Sequence, residues 1–454
     1  MTNIKNNETS EKLHRPNVIL FLADDLGYGD LGVHGNTVVK TPHIDAFAKE
    51  SIELDRFYVT PVCAPTRASM LTGRYNFRTG VTDVFGKGCE MATDEVTMAE
   101  LLSKQGYCTG LFGKWHLGDQ PKQSPTRRGF DEALTFEGCA MDSSQYFDPT
   151  LLHNDTPQDY KGYCLDVFTD AAIEFMTSHR DDPFFIFLPS NLIHTPMVAP
   201  ESIIAQYDNL GLVESTQKTY AMVQNLDENF GRLKNALAEL GLEDNTLLIA
   251  TSDNGPCSGS NPIERHMAGL HGLKGTVYEN GIRVPCFMRW PKGFAGAGIR
   301  QQVTSLVDLL PTIATACNVS LPTDLKLDGV DLLPLLCEAD VPSPDRDLIF
   351  QWDSEEVPRH GHAYCVLHEQ WKLVQPCGMD APEQKHIRNR YAQLCDLQER
   401  GKRNIEGPAR FELYDLNADP GENVDLADKY PDIVSQLRQI YENWFDEVTT
   451  RFQA

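Results

Sequence analysis

Basic residues are scarce in this sequence relative to acidic ones. Its 454 residues include 40 Lys and Arg against 65 Asp and Glu, which gives a formal net charge of −25 at pH 7. Such a chain repels a phosphate backbone, so we exclude a nucleic-acid partner. An anionic small molecule would also be repelled at long range, and a pocket for one has to supply its own local cations. The overall acidity favours solubility.

Long hydrophobic runs are also missing. Residues 1–16 are polar and lack the apolar core of a signal peptide, and the apolar run 18–23 is far too short to span a bilayer. We therefore expect no membrane partner and a cytoplasmic location; a leader preceding this sequence would instead indicate a periplasmic or secreted protein. The 12 cysteines are scattered without CxxC spacing, which favours reduced thiols over disulfides.

The pattern of apolar segments predicts an α/β fold. Short apolar runs typical of buried strands alternate with amphipathic segments typical of helices, which favours a large, doubly wound, mostly parallel sheet. The predicted strands are 17–23, 108–112, 184–188 and 246–251, and the predicted helices are 45–51, 97–105, 166–178 and 220–240.

A change of pattern predicts a second, smaller lobe. Two prolines in the polar run 341–345 interrupt any regular element. After it come short strand-like segments at 363–367, 371–374 and 411–415 and a closing amphipathic helix at 430–452. We predict a polar tail over 1–16, a main α/β domain over 17–340, and a C-terminal α+β lobe with an antiparallel sheet over 346–454.

Polar residues follow the predicted strands of the main domain. Asp24 and Asp25 follow the first strand, the segment 113–116 the second, His194 the third, and Asp253 with Asn254 the fourth. Because ligands of open α/β sheets bind outside the carboxyl ends of the strands, we expect these groups to meet in one crevice.

The acidic pairs among them have the chemistry of a metal site. Asp24, Asp25, Asp253 and Asn254 offer hard oxygen donors, which suit Ca²⁺ or Mg²⁺ and not zinc. Asp24 and Asp25 alone are equally well explained as a turn or a helix cap, and Asp253 with Asn254 alone is better explained as a turn. Their occurrence at two strand ends favours the metal interpretation.

A cysteine precedes a predicted helix. Pro65 is placed as the first helical residue, so Cys63 lies where the helix begins. Free backbone N–H groups and the helix dipole favour an anion there. A small buried cysteine at such a position is more often a packing residue, and no histidine partner stands at a diagnostic spacing.

Motifs along most of the chain resemble one family. Cys63, Pro65 and Arg67 with Thr72-Gly73-Arg74 resemble the signature of the formylglycine-dependent (type I) sulfatases of the alkaline phosphatase superfamily, a tag by which a maturation enzyme converts the cysteine to Cα-formylglycine. The similarity extends to the segments 17–30, 41–45, 113–118, 128–131, 252–255, 274–283 and 413–422.

The resemblance implies a role for each polar motif. It implies that Asp24, Asp25, Asp253, Asn254 and the formylglycine at position 63 bind one Ca²⁺, with Mg²⁺ the less favoured ion. It assigns Arg67 and Lys114 to the stabilisation of the nucleophile, His194 and Lys274 to sulfate and the leaving oxygen, and His116 to the role of base. Apart from the resemblance, His194 is equally explained as a capping or core histidine and Lys274 as an exposed loop lysine.

The implied activity is hydrolysis of a sulfate ester with release of inorganic sulfate. We expect a sulfated carbohydrate attacked at the end of its chain, with an aryl sulfate or a phosphonate or phosphate ester as alternatives, and an inactive binding homologue as a further one. The rim is predicted near 139–146, 264–271 and 359–362. Candidates for sugar contacts are His271, Arg359, His360 and His362.

Overall fold

The computed structural model describes residues 15–257, 264–294, 296–376 and 411–453. The predicted tail 1–16 therefore lies outside the described residues except for its last two, and the predicted C-terminal lobe is described without 377–410 and 454. Every helix in these ranges is too short or too polar to cross a lipid bilayer.

The main domain is built on a sheet of ten strands. These are β1 (Asn17–Ala23), β2 (Ile52–Tyr58), β3 (Cys108–Phe112), β4 (Glu132–Thr135), β5 (Thr150–His153), β6 (Thr156–Asp159), β7 (Phe184–Pro189), β8 (Thr246–Ser252), β9 (Cys286–Arg289) and β10 (Gly298–Ser305). Their order across the sheet is β10-β2-β9-β8-β1-β7-β3-β4-β5-β6. Neighbours from β8 to β4 are parallel, while β9 and β5 run antiparallel to both of their neighbours. The predicted mostly parallel sheet is confirmed.

Ten helices accompany the strands in the described ranges. They are α1 (Pro42–Glu50), α2 (Cys63–Thr72), α3 (Met98–Lys104), α4 (Cys164–Ser178), α5 (Glu201–Ile204), α6 (Glu214–Glu239), α7 (Glu279–Ile282), α8 (Leu309–Ala316), α9 (Leu333–Cys337) and α10 (Pro431–Val448). The start of α3 shows how local sequence fixes an end: Thr97 Oγ1 accepts the Glu100 backbone N–H at 3.1 Å, and Glu100 Oε2 accepts that of Thr97 at 2.9 Å.

Apolar side chains cover both faces of the main sheet. In β1, every residue is buried. Val18, Leu20 and Leu22 pack into one core together with residues of α2 and α8. Ile19 and Phe21 pack into another core with residues of α4 and α6. This two-sided burial explains why the central strands are continuous apolar runs.

The C-terminal lobe carries a second sheet. Strands β11 (Leu348–Gln351), β12 (Tyr364–His368), β13 (Trp371–Gln375) and β14 (Glu412–Asp415) pair antiparallel in chain order. Leu437 and Tyr441 of α10 pack on Val366 of this sheet, in a core that also includes Phe77 of the main domain. The predicted α+β lobe with an antiparallel sheet is confirmed.

A buried ion cluster joins the two lobes. The Lys372 ammonium lies 2.9 Å from a carboxylate oxygen of Glu279 and 2.9 Å from one of Glu422. Glu279 also accepts the Tyr58 O–H at 3.0 Å, and its backbone N–H donates to Glu422 at 2.8 Å. Since Glu279 begins α7, which follows the loop carrying Lys274, the C-terminal lobe supports that loop.

Candidate active site

Strands β1 and β8 end side by side, and each is followed by two polar residues. Their register continues to the last pair, so Asp24 and Asp25 lie level with Asp253 and Asn254. Asn254 Nδ2 donates to Asp25 Oδ1 at 2.8 Å, and the Asp25 backbone N–H donates to Asp253 Oδ1 at 3.2 Å. All four are fully buried. We call these four residues the oxygen cluster.

Two buried cations contact the oxygen cluster. Lys114, two residues beyond β3, places Nζ 2.6 Å from Asp24 Oδ2. Arg67 of α2 donates from Nε and Nη2 to Asp253 Oδ2 at 3.1 and 2.7 Å, and from Nη1 to the Lys114 carbonyl oxygen at 2.7 Å. Burial raises the pKa of Asp24, but the surrounding cations, Lys114 foremost, outweigh it and hold that pKa well below its usual value. For Asp253, burial and the charge of Asp24 raise the pKa to about 7.

A third cation reaches the cluster from a loop. Lys274 Nζ lies 2.6 Å from Asp25 Oδ1, with the side chain 14% exposed. The Lys274 backbone N–H donates to the Pro256 oxygen at 3.0 Å, and that of Gly275 to the Pro61 oxygen at 2.8 Å. Gly275 has φ +81°, which favours glycine. The oxygen cluster thus has three carboxylates against three cations, and this acidic chain supplies positive charge locally.

Cys63 is the first residue of α2 and lies beside the oxygen cluster. Its sulfur and one oxygen each of Asp24 and Asp253 are all within 4.8 Å of one another. The spacing predicts Pro65 as the first helical residue, but it is the third. It still lies in the first turn of the helix, where a backbone N–H has no acceptor within the helix. Burial raises the pKa of the Cys63 thiol, so the unmodified side chain is a neutral thiol and a poor nucleophile.

The oxygen cluster has the unused acceptors that a metal ion needs. Asp24 Oδ1, Asp25 Oδ2 and Asn254 Oδ1 are buried and have no hydrogen-bond partner among the described residues. Leaving three such oxygens unsatisfied is costly, and a cation would satisfy all of them. Two carboxylates and an amide oxygen are ligands that hard divalent ions prefer. The residues present therefore fit a divalent cation.

His116 is held in one orientation. It has φ +60°, and its Nε2 lies 2.8 Å from the Val84 carbonyl oxygen. Because a carbonyl only accepts, Nε2 carries the proton and Nδ1 offers a lone pair; Nδ1 is buried without a hydrogen-bond partner in the described part of the chain. Burial and then the charge of Lys114 lower the pKa of His116 well below its ordinary value. The ring is therefore a neutral imidazole whose Nδ1 can accept a proton.

His194 also lies at the oxygen cluster, beyond the end of β7. One of its ring nitrogens is within 4.8 Å of a carboxylate oxygen of Asp24 and of Asp25. Nδ1 lies 2.6 Å from the Thr195 carbonyl oxygen and therefore donates to it, which leaves Nε2 for other contacts. The backbone N–H of Asp24 donates to the Leu192 oxygen at 2.8 Å and ties this loop to β1. Burial lowers the pKa of His194.

The four predicted rim residues lie in two places. His271 is buried in the loop of Lys274, with its ring stacked 4.2 Å from that of Tyr278. The other three lie in the connection between β11 and β12. Arg359 is paired with Asp353, His360 packs on α10 against Tyr441, Phe445 and Glu442, and His362 Nδ1 lies 3.1 Å from the Trp352 carbonyl oxygen.

Trp352 is a residue near the site that the sequence analysis did not identify. Its Nε1 donates to Asp83 Oδ1 at 3.0 Å. Asp83 directly precedes Val84, whose carbonyl oxygen accepts the hydrogen bond from His116. Its ring also faces Gly275, where a Cβ would lie 3.7 Å from Cζ3. Trp352 therefore connects the C-terminal lobe to the segments that hold His116 and Lys274. A single tryptophan after a strand has no spacing signal that indicates this contact.

Comparison with known families gives two matches. The profile of the family described as "Sulfatase" matches residues 16–319. The profile described as "N-sulphoglucosamine sulphohydrolase, C-terminal" matches residues 269–390. The first match covers every residue of the oxygen cluster and each of the cations and histidines around it.

Curated proteins and solved structures are similar along nearly the whole chain. Arylsulfatase A of Homo sapiens is 31% identical over 482 residues, covering 94% of this chain and 87% of that protein. N-acetylgalactosamine-6-O-sulfatase of Bacteroides thetaiotaomicron is 27% identical over 512 residues, covering 96% and 94%. The crystal structure of Ps i-CgsB in complex with k-i-k-neocarrahexaose superposes with a TM-score of 0.81 at 27% identity, covering 95% of this chain and 92% of that one.

Proposed function

The chain belongs to the sulfatase family of the alkaline phosphatase superfamily and is a sulfuric ester hydrolase, and from this premise we propose that it releases inorganic sulfate from a sulfated carbohydrate. One observation supports the proposed chemistry above the others. Cys63 begins a helix within 4.8 Å of two carboxylates of the oxygen cluster, which has unused buried oxygens and three cations around it.

We propose that the nucleophile is Cα-formylglycine made from Cys63 by a formylglycine-generating enzyme. The raised pKa of the buried thiol argues against cysteine itself. A hydrated aldehyde at position 63 would supply a hydroxyl to attack sulfur, and its second hydroxyl would allow sulfate to be expelled as the aldehyde reforms. The free N–H groups at the start of α2 and the nearby cations favour the negative charge that this requires.

The divalent cation of the site is proposed to be Ca²⁺. Asp24, Asp25, Asp253 and Asn254 would hold it together with the modified residue 63. Ca²⁺ accepts more oxygen ligands and more varied geometry than Mg²⁺, which suits five protein ligands. When bound, the ion supplies electrostatic stabilisation of the sulfate oxygens and of the nucleophile.

The cations of the chain itself neutralise charge that spreads over the sulfate oxygens. Lys114 contacts Asp24, Arg67 contacts Asp253, and Lys274 contacts Asp25. Burial lowers the pKa of Lys274, but Asp25 and its neighbours raise it well above the ordinary value, so Lys274 is protonated at neutral pH. We assign protonation of the leaving oxygen to Lys274 or His194, because both groups lie close to Asp25.

His116 is proposed to remove the proton from the second hydroxyl. Its Nδ1 offers a lone pair, since Nε2 donates to the Val84 carbonyl. The lowered pKa keeps the ring neutral near pH 7, which is the state that accepts a proton. The burial of Nδ1 without a hydrogen-bond partner among the described residues supports this role.

The carbohydrate substrate is supported by the names of the relatives. One relative is named as an N-acetylgalactosamine-6-O-sulfatase, an enzyme for a sulfated sugar. One similar structure is a complex with k-i-k-neocarrahexaose, an oligosaccharide. We propose attack at the end of the sugar chain, with His271, Arg359, His360 and His362 as candidate sugar contacts. Aryl sulfates are the second candidate, because arylsulfatase A is 31% identical.

The experiment measures the release of sulfate by ion chromatography from three kinds of substrate: sulfated monosaccharides, sulfated oligosaccharides and nitrophenyl sulfate. We expect kcat/KM to be highest for a sugar sulfated at its non-reducing end, and activity to be lost in the Cys63→Ala variant. Higher kcat/KM for nitrophenyl sulfate than for every sugar would contradict the carbohydrate assignment, and faster turnover of a nitrophenyl phosphonate would contradict the choice of sulfate.

A further inference from the structure

A second group of metal-ligating side chains lies where β3 and β7 begin, at the opposite ends of the strands from the oxygen cluster. Cys108 is the first residue of β3, His179 directly follows α4, and Asp182 lies in the turn before β7. The Cys108 sulfur, a His179 ring nitrogen and an Asp182 carboxylate oxygen all lie within 4.8 Å of one another. We propose that these three side chains bind a divalent transition-metal ion of the Zn²⁺ type, apart from the catalytic site.

The backbone holds these three residues in place. The Cys108 N–H donates to the Pro183 carbonyl oxygen at 3.0 Å, and the Asp182 N–H donates to the His179 carbonyl oxygen at 3.0 Å. The His179 ring packs with its centroid 4.4 Å from that of Phe175. Because these contacts already hold the three residues, a metal would have to order little of the chain. The entropic cost of binding is therefore low.

The three side chains are available as ligands. In the described ranges, none of them forms a side-chain hydrogen bond, and His179 and Asp182 are close without being an ion pair. Burial raises the pKa of the Cys108 thiol, and the charges of Asp182 and Asp131 add to it. The group thus places a thiol beside carboxylates, while Arg180 of the same turn pairs with Asp181 instead. A bound metal would add positive charge to the group by displacing the thiol proton.

The donor set selects a different ion from that of the oxygen cluster. One thiolate, one imidazole and one carboxylate suit Zn²⁺ or Co²⁺, whereas Ca²⁺ takes oxygen ligands. The partial exposure of Cys108 and His179 leaves an entry path and room for water as a fourth ligand. A metal here would clamp the start of β3 to the turn between α4 and β7, which is a structural role.

The test is a titration of the whole protein with Co²⁺ while excess Ca²⁺ occupies the oxygen cluster. We expect one equivalent to bind with a thiolate-to-cobalt charge-transfer absorption, and Zn²⁺ to displace it. Cys108→Ser should abolish the absorption, and His179→Ala and the exposed Asp182→Asn should each weaken binding by roughly tenfold or more. Cys337→Ser, which removes an exposed thiol elsewhere, should leave the titration unchanged.

Several outcomes would overturn the proposal. One is a wild-type protein without the charge-transfer absorption, and another is a Cys108→Ser protein that retains it. Since the Cys63 thiol also lies beside carboxylates, a Cys63→Ala protein is titrated in parallel; loss of the absorption there would assign the metal to the catalytic site instead. Asp182 is exposed, and asparagine is nearly the same size as aspartate, so its variant tests binding independently of folding.

Discussion

Substitution of Lys372 by methionine should destabilise the protein strongly, because it leaves two buried carboxylates without their cation. Lys372, Glu279 and Glu422 are each at most 1% exposed, and both ion-pair distances are 2.9 Å. Removing one partner of a buried pair costs about 3–5 kcal/mol. Glu279 retains the Tyr58 O–H and Glu422 retains a backbone N–H, so we expect the lower end of that range, about 3 kcal/mol.

The loss of stability in Lys372→Met should be larger at high pH than at low pH. Burial raises the pKa of Glu422 from 4.5 to about 7. Between those values the Glu422 carboxyl binds more protons in the folded state than in the unfolded state, so its contribution to the stability of the wild type falls as the pH rises through that window. Without Lys372 the pKa of Glu422 moves higher still. The Lys372→Met deficit is therefore largest above pH 7 and shrinks as the pH falls towards 5, where Glu422 is protonated.

The assay is urea unfolding followed by far-ultraviolet circular dichroism at about pH 8 and about pH 5. Lys161→Met is the matched control, since it breaks a 2.9 Å pair with Asp148 whose lysine is 87% exposed. The control should change stability little at either pH, because water and salt screen a pair this exposed. A Lys372→Met protein no less stable than this control, or a deficit that grows on acidification, would refute the reasoning.

Three further predictions concern the site. His116→Ala should lower kcat by about 10²–10⁴-fold with little change in KM, since a general base is lost; steady-state sulfate release measures this, and an unchanged kcat would remove His116 from the mechanism. Chelation should abolish activity, and Ca²⁺ at about a hundred times its Kd should stabilise the protein against urea by about 2.7 kcal/mol; an equal gain in Asp24→Asn would contradict binding at the oxygen cluster. Trp352→Phe replaces the indole by a smaller aromatic ring and loses the hydrogen bond to Asp83. It should cost about 1–3 kcal/mol in stability and lower kcat through the Val84–His116 contact; a change in stability alone would limit Trp352 to packing.

The central strands could be predicted because they are buried on both faces. The β1 segment is apolar at six of its seven positions and entirely buried, so it reads as a strand without any alternation. Parallel strands end at a common edge, and this alone places Asp24, Asp25, Asp253 and Asn254 together. The convergence of polar groups at one crevice was therefore within reach of sequence reasoning.

Six of the ten strands of the main sheet were not predicted. In β2, Glu53, Asp55 and Arg56 interrupt the apolar pattern, and the first two accept hydrogen bonds from Tyr28. The edge strand β10 is mostly polar and partly exposed. Tertiary contacts stabilise these strands, and such contacts are not visible in a local window of sequence.

The pairings inside the site depend on contacts between distant parts of the chain. Lys274 meets Asp25 across 249 positions and Arg67 meets Asp253 across 186. No local spacing predicts which cation faces which carboxylate, or that three oxygens are left unused. The chemistry of Cys63 is a different case: local physics predicts only a helix start that favours an anion, and its assignment as formylglycine depends on the resemblance of its tag.

The mass of the proteolytic peptide that contains residue 63 tests the central claim most directly. The measurement is made on enzyme whose sulfatase activity has been determined in the same preparation, together with enzyme produced without a formylglycine-generating enzyme. We predict that the peptide mass of the active preparation corresponds to formylglycine at position 63 and that the activity of each preparation follows the modified fraction. Full activity in a preparation that carries only cysteine at position 63 would contradict the account.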